Sequence, residues 1–217
     1  RRDGQVDLKK VFAPLLAKPV TVTGMMTEMK DYRALFVRIA DRLGADDRTY
    51  VESFLSEPNG EMVVAAAETL WTRFQSDVGA RGLARRLPTV TADDAQFLDR
   101  SLRFLGRLDS DGVADAVAGF IRRGDRDVLG KIAVQSGCAF SYISVAEAIA
   151  TDLDKTEQWR LGYDHRDRVC DTAAESFVTL ALYDRPFPRN AQIETRDLFI
   201  ADLKSWWVAH RKTVDWA

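Results

Sequence analysis

Apolar side chains recur three and four positions apart in one short run after another, and this spacing limits the chain to packed helices. Leu8, Val11, Phe12, Leu15 and Leu16 form the first stripe, stopped by Pro19. Met29, Tyr32, Phe36, Ile39 and Leu43 form the next, ended by Gly44, and Tyr50, Val51, Phe54 and Leu55 a short third before the turn signal Pro58-Asn59-Gly60. A long helix is expected from Val63 through Ala66, Ala67, Leu70, Trp71 and Phe74 to Val78; Gly79 and Gly82 follow, and Leu83 to Leu87 add a further turn before Pro88. Thr91 is suited to an N-cap, its hydroxyl accepting from first-turn N–H groups, with Asp93 and Asp94 at the positive end of the dipole. The helix it opens carries Leu98, Leu102, Leu105 and Leu108.

Further stripes follow with little linker. They are Val113 to Ile121 closed by Gly124, Val128 to Ala133 closed by Gly137, and Tyr142 to Leu153. Trp159 and Leu161 fall in a turn or short helix broken by Gly162, and a helix is expected over His165 to Leu182. After the irregular Pro186-Phe187-Pro188, a last helix spans about Thr195 to His210. The only alternating stretch, Val20-Thr21-Val22-Thr23, is short enough to read as an extended link. Short helices with one apolar face cover one another when stacked in pairs. The pairs fall roughly at 91–123, 126–153 and 159–182, although they share little residue identity.

Composition narrows the function. Of 217 residues, 46% are hydrophobic and 29% charged, as in a folded globular protein. The balance of 31 basic and 33 acidic residues gives a formal charge of -2, without the basic surplus that phosphate neutralisation uses. A local cluster at Arg81, Arg85 and Arg86 reads as a solvated helix end, and nucleic acid is disfavoured as a partner. No apolar run is long enough for a membrane span. The chain opens Arg1-Arg2-Asp3 without Met, as a processed or excised piece would; a cytoplasmic location is slightly favoured and export stays open.

One segment is more specific. His165-Arg166-Asp167-Arg168-Val169-Cys170-Asp171-Thr172-Ala173-Ala174-Glu175 resembles the inner helix of bacterial HEAT-like repeat proteins, which carry an Arg-Val-Cys-Asp-x-Ala-Ala core. Thr195-Arg196-Asp197 through Ile200, Lys204, Trp206 and Trp207 is similar to the double-Trp capping helix that follows it there. The resemblance covers about 50 residues closely and about 120 loosely. It implies an all-α fold, a right-handed stack of antiparallel helix pairs of the HEAT/ARM-like α-solenoid or α-α superhelix kind. Residues 1–90 form an N-terminal helical region of unassigned register, and 91–217 the repeats with their cap, as one continuous unit. Small Ala173 and Ala174 admit a close neighbour, and Arg168 and Asp171, three apart on one face, can pair with each other or with carboxylates and guanidinium groups of adjacent repeats. Of the two tryptophans, one ring can face the core while the other crosses the rim.

No nucleotide-binding, zinc or nucleophile-elbow motif occurs, so no catalytic, cofactor or metal residue is assigned. Asp164, Asp167 and Asp171 would share one side of a helix beside His165, a possible oxygen-ligand set, but acidic residues at a helix start are an ordinary dipole signal. Ser136-Gly137-Cys138 places a thiol near an expected helix start without a neighbouring base. Cys138 and Cys170 read as free buried thiols, with a single bridge as the minor alternative. The expected function is a non-enzymatic scaffold or protein-protein interaction module, binding a protein or peptide through Trp159, Tyr163, His165, Arg168 and Glu175. Trp159, Tyr163 and Tyr183, at helix ends, suit a recognition surface, but joint-filling between repeats is the favoured reading of these rings. The alternative is a helical enzyme or nucleic-acid-processing protein on the same scaffold.

Overall fold

A computed structural model describes residue 10 and residues 32–108, 110–161, 167–214 and 216, the side chains of Tyr32, Arg33 and Ala34 excepted. The expected stripe Leu8–Leu16 and the link Val20–Thr23 lie outside the described residues, as do Gly162, Tyr163 and His165. The described secondary structure is helical, and its one β-bridge joins Gln158 to Arg168. The chain divides into two compact units, Arg1–Leu83 and Ala84–Ala217.

In the first unit, α1 spans Tyr32–Ala40, α2 spans Arg48–Ser53 and α3 spans Gly60–Phe74. The helix α4, Val78–Arg86, crosses the boundary between the units. Phe36, Ile39, Leu43, Val51, Phe54, Met62 and Leu70 make the core, with Phe36 edge-on to Phe54 at 5.8 Å. The turn signal at Asn59 acts as a cap, its side chain accepting from the Met62 N–H at 3.1 Å. The long helix expected to Val78 stops at Phe74, because Gln75 takes a left-handed conformation with φ of 50°. Gly79 belongs to the next helix. It lies inside α4, where a Cβ would come within 2.6 Å of Ala67 Cα, so it is the close-approach point of two helices.

The second unit holds α5 Ala95–Leu105, α6 Asp111–Arg122, α7 Val128–Gly137, α8 Ile143–Ala150, α9 Val169–Leu180 and α10 Ile193–His210. Thr91 is the N-cap, as expected, of a short 3-10 turn before α5, in a capping box with Asp94, whose carboxylate accepts from the Thr91 N–H at 3.1 Å and from its hydroxyl at 2.8 Å. Helices α5, α7 and α9 pack side by side in order, and α6 lies along α8. Contacts of α7 with α6 and α8, and of α9 with α8 and α10, join the two rows. Buried Leu98, Leu102, Val117, Ile121, Leu129, Ala133, Val145, Ile149 and Phe177 fill the space between them.

Residues 159–161 are not helical, so the third pair expected over 159–182 is formed differently. An extended strap at 155–161 runs beside residues 167–170, and the helical partner that follows α9 is α10. Gly130 makes this passage possible. A Cβ there would meet the Asp125 carbonyl oxygen at 2.0 Å and the Trp159 ring at 3.2 Å.

The substitution Gly130→Ala should therefore destabilise the protein by about 3 kcal/mol or more, the overpacked end of core substitutions. Gly119→Ala, at an exposed helical site where a Cβ meets nothing within 4 Å, should stabilise by about 0.4–1 kcal/mol. Urea denaturation of the two variants checks the pair.

Candidate functional site

The segment that carries the family resemblance begins its helix later than expected. Arg168 is the N-cap, extended with ψ of 156°, and the helix runs from Val169. No side chain caps it. Its first N–H groups donate instead to the strap, Val169 to the Glu157 carbonyl and Cys170 to the Lys155 carbonyl, both at 2.9 Å. Trp159 donates its backbone N–H back to the Asp167 carbonyl at 3.3 Å.

This late start corrects the acidic-face expectation. Asp167 lies outside the helix, Asp164 lies outside the described residues, and so no helical face brings Asp164, Asp167 and Asp171 together there. Among the described residues, no three His, Cys, Asp or Glu side chains are grouped to hold a metal ion.

A network of matched charges stands at the position. Arg168 grips Asp171 with two bonds, Nη2 to Oδ1 at 2.8 Å and Nε to Oδ2 at 3.1 Å, as their three-residue spacing predicted. The same Nη2 reaches Asp197 on α10 at 2.7 Å, and Arg196 on α10 donates to Asp171 Oδ2, the oxygen that also accepts from Arg168 Nε. Bonding to Asp171 keeps the Arg168 guanidinium even further above its ordinary pKa, against the effect of burial. Beside this, Lys131 on α7 holds Asp167 at 2.9 Å, and Arg189 lies 3.6 Å from both Asp167 and Glu175. Four cations thus meet four carboxylates. Their chemistry is cohesion, because a buried guanidinium and a buried carboxylate each need the other.

The expected binding residues separate accordingly. Trp159 is buried at 4% exposure, its indole N–H donating to Thr172 Oγ1 at 2.9 Å, and it fills the joint between α7 and α9. Arg168 is buried in the network. Those two positions are corrected from partner surface to interior. Glu175 is partly exposed and faces Arg189, while Tyr163 and His165 lie outside the described residues.

Cys138 is likewise corrected. It ends α7 instead of starting a helix, and its thiol donates to the Gln135 carbonyl. Burial pushes the thiol pKa up at Cys138 and at Cys170, and neither is in a disulfide. A raised pKa keeps a thiol protonated and unreactive near neutrality.

Sequence reasoning missed the corner between α9 and α10, although its aromatic-rich spelling was visible. Leu182 closes α9 in a left-handed conformation, φ 50°, and is 88% exposed. Tyr183 follows, edge-on to Phe199 at 5.9 Å and to Trp206 at 5.2 Å. Phe187 packs against Phe199 at 5.6 Å, and Trp206 stacks on His210 at 5.0 Å. Trp207 turns the other way, buried against Phe177 at 5.1 Å, so the two tryptophans divide between rim and core as expected.

No protein-family profile, curated protein or solved structure matches this chain.

Two outcomes follow from the network and the thiols. Asp171→Ala strands two largely buried guanidinium groups and should cost about 3–5 kcal/mol, whereas Asp197→Ala, at a half-exposed position, should cost under about 1 kcal/mol. Thermal or urea melts measure both. Iodoacetamide should leave Cys170 unmodified in the native protein and alkylate Cys138 with a pH midpoint above that of a free thiol. The raised pKa values also mean that the thiols' contribution to stability is complete below the ordinary thiol range and is lost as pH rises through the folded-state values.

Proposed function

We propose that the chain is a protein-interaction module of the HEAT-like α-solenoid kind, binding a protein or peptide and catalysing nothing itself. The observation that carries this reading is the side-by-side order of α5, α7 and α9, backed by α6 and α8. A row of helices laid in sequence offers a long continuous surface, and such surfaces serve extended partners. Gln135 on α7 and Thr179 on α9 are exposed along that row, with Glu175 partly exposed beside them. The resemblance of residues 165–175 and 195–207 to HEAT-like repeats and their double-Trp cap supports the same reading.

The rival, an enzyme or nucleic-acid-processing protein, would draw on residues 164–171 or on Arg81 to Arg86. In the first stretch Asp167 and Asp171 are neutralised by Lys131, Arg168, Arg189 and Arg196. In the second Arg81 pairs with Asp77, the residue just before its own helix. Neither arrangement favours the rival.

The test is affinity capture from the native host with the wild-type protein and with a Gln135→Arg, Thr179→Arg double variant. A partner held in stoichiometric amount by the wild type and released by the variant, at unchanged helical circular dichroism, supports the module. A partner retained equally by both, or salt-sensitive capture of nucleic acid alone, overturns it.

A further inference from the structure

The exposed corner between α9 and α10 already holds a cation. Arg185 places its guanidinium carbon 5.4 Å from the centroid of the Tyr183 ring and 5.5 Å from that of Phe199. Its Nη2 donates to the Tyr183 hydroxyl at 2.5 Å and to Asp202 at 3.4 Å. Two aromatic rings and two oxygens therefore converge on one planar, positively charged group. Arg185 is 52% exposed and Asp202 63% exposed, so the assembly faces water and contributes nothing to the core.

Three features of this corner lack a structural reason. Exposed cation-π contacts and exposed ion pairs are weak, so Arg185 is held loosely. The aromatic belt of Tyr183, Phe187, Phe199 and Trp206 is left partly open, although such rings gain most when covered. Leu182, next to Tyr183, keeps a strained φ while presenting nearly all of its side chain to solvent. A helix closed in this way prefers glycine.

We propose that the α9–α10 corner is a recognition site for an arginine side chain presented by a peptide segment of a partner protein, and that Arg185 occupies it in the unbound protein. The geometry selects arginine over lysine. A guanidinium keeps its carbon within 5.5 Å of both ring centroids while one of its nitrogens donates to both the Tyr183 hydroxyl and Asp202, whereas an ammonium carries its charge on a single nitrogen and has no plane to lay beside a ring. Asp184 and Asp202, both exposed, leave the corner acidic once the Arg185 head swings away. Leu182 lies beside the site to take an apolar neighbour of the incoming arginine. The proposal deepens the interaction-module reading and rests on it, naming the chemistry of one contact.

The internal occupant sets the size of the effect. A contact of exposed cation-π strength favours the closed corner by a factor of about two to five. Removing it should then tighten binding by about three- to sixfold, since apparent affinity scales with the open fraction.

The test titrates the full chain with the peptides acetyl-Gly-Leu-Arg-Gly-amide and acetyl-Gly-Leu-citrulline-Gly-amide, following the Trp206 indole N–H by NMR, assigned with Trp206→Phe. Arg185→Ala should bind the arginine peptide about three- to sixfold more tightly than the wild type and bind the citrulline peptide markedly less well. Leu182→Gly should melt no lower than the wild type, because it relieves the left-handed strain, yet bind the arginine peptide several-fold more weakly. Equal affinity of wild type and Arg185→Ala, equal binding of the two peptides, or a Trp206 signal unmoved at saturation would each overturn the site. A host partner released by the Gln135→Arg, Thr179→Arg variant but indifferent to Leu182→Gly and Arg185→Ala would sink this proposal while leaving the interaction module standing.

Discussion

The Asp171 carboxylate, shut between the guanidinium groups of Arg168 and Arg196, governs how the C-terminal helix is seated. Apolar contact alone does not fix that seat. Helix α10 buries Ile200, Leu203 and Trp207, yet it also carries exposed Leu198 and Val208 on its other side. A helix with apolar residues all round can satisfy the hydrophobic effect in more than one rotation about its axis. The charges remove that freedom. Only one rotation brings Arg196 to Asp171 and Asp197 to Arg168 together, and any other leaves buried ions without partners, a far larger penalty than exposing a leucine.

The same segment shows why a charged cluster in sequence is a poor guide to chemistry. Four acidic and four basic side chains gather within reach of α9, a density that resembles an active site when read as a string of letters. In the folded chain each carboxylate has a cation beside it, and Lys131 and Arg189 come from other parts of the chain to complete the balance. A site for a charged ligand needs an excess of one sign or an unpaired group aimed outward. Matching instead makes the group a fastener, with the surface beyond it free for contacts of a different kind.

Much of the helical order was legible because the apolar spacing is strict: the stripes opening at Leu98, Val113 and Tyr142 each mark a helix, although Leu108, Tyr142 and Leu153 fall just outside the helical bounds. What escaped was decided by contacts far apart in the chain. Gln75 takes the left-handed conformation that ends α3 without any glycine to signal it, while Gly79 is the point where two helices touch. The start of α9 was misplaced by several residues because its N–H groups are satisfied by carbonyls of the strap, and no capping side chain marks the position. Trp159 was offered as a surface ring, and only the strap's path over Gly130 puts it inside. Arg168 with Asp171 was readable, being local; pairing with charges of a neighbouring helix was readable in kind, but that Arg196 supplies it across 25 positions was not.

The corner at Leu182 to Arg185 reverses the logic of the buried network. Inside, every charge is matched and every ring covered, so the residues explain one another. Outside, a leucine stands in a conformation that costs about 1–2 kcal/mol relative to glycine, with its side chain in water. The Tyr183 hydroxyl, the Phe199 ring and Asp202 are arranged around a guanidinium that the fold does not need. Residues that neither fill space nor satisfy a buried group have no account within the isolated chain. Their account has to come from a second molecule, and the chemistry already assembled there, two aromatic rings and two oxygen acceptors, describes what that molecule must present.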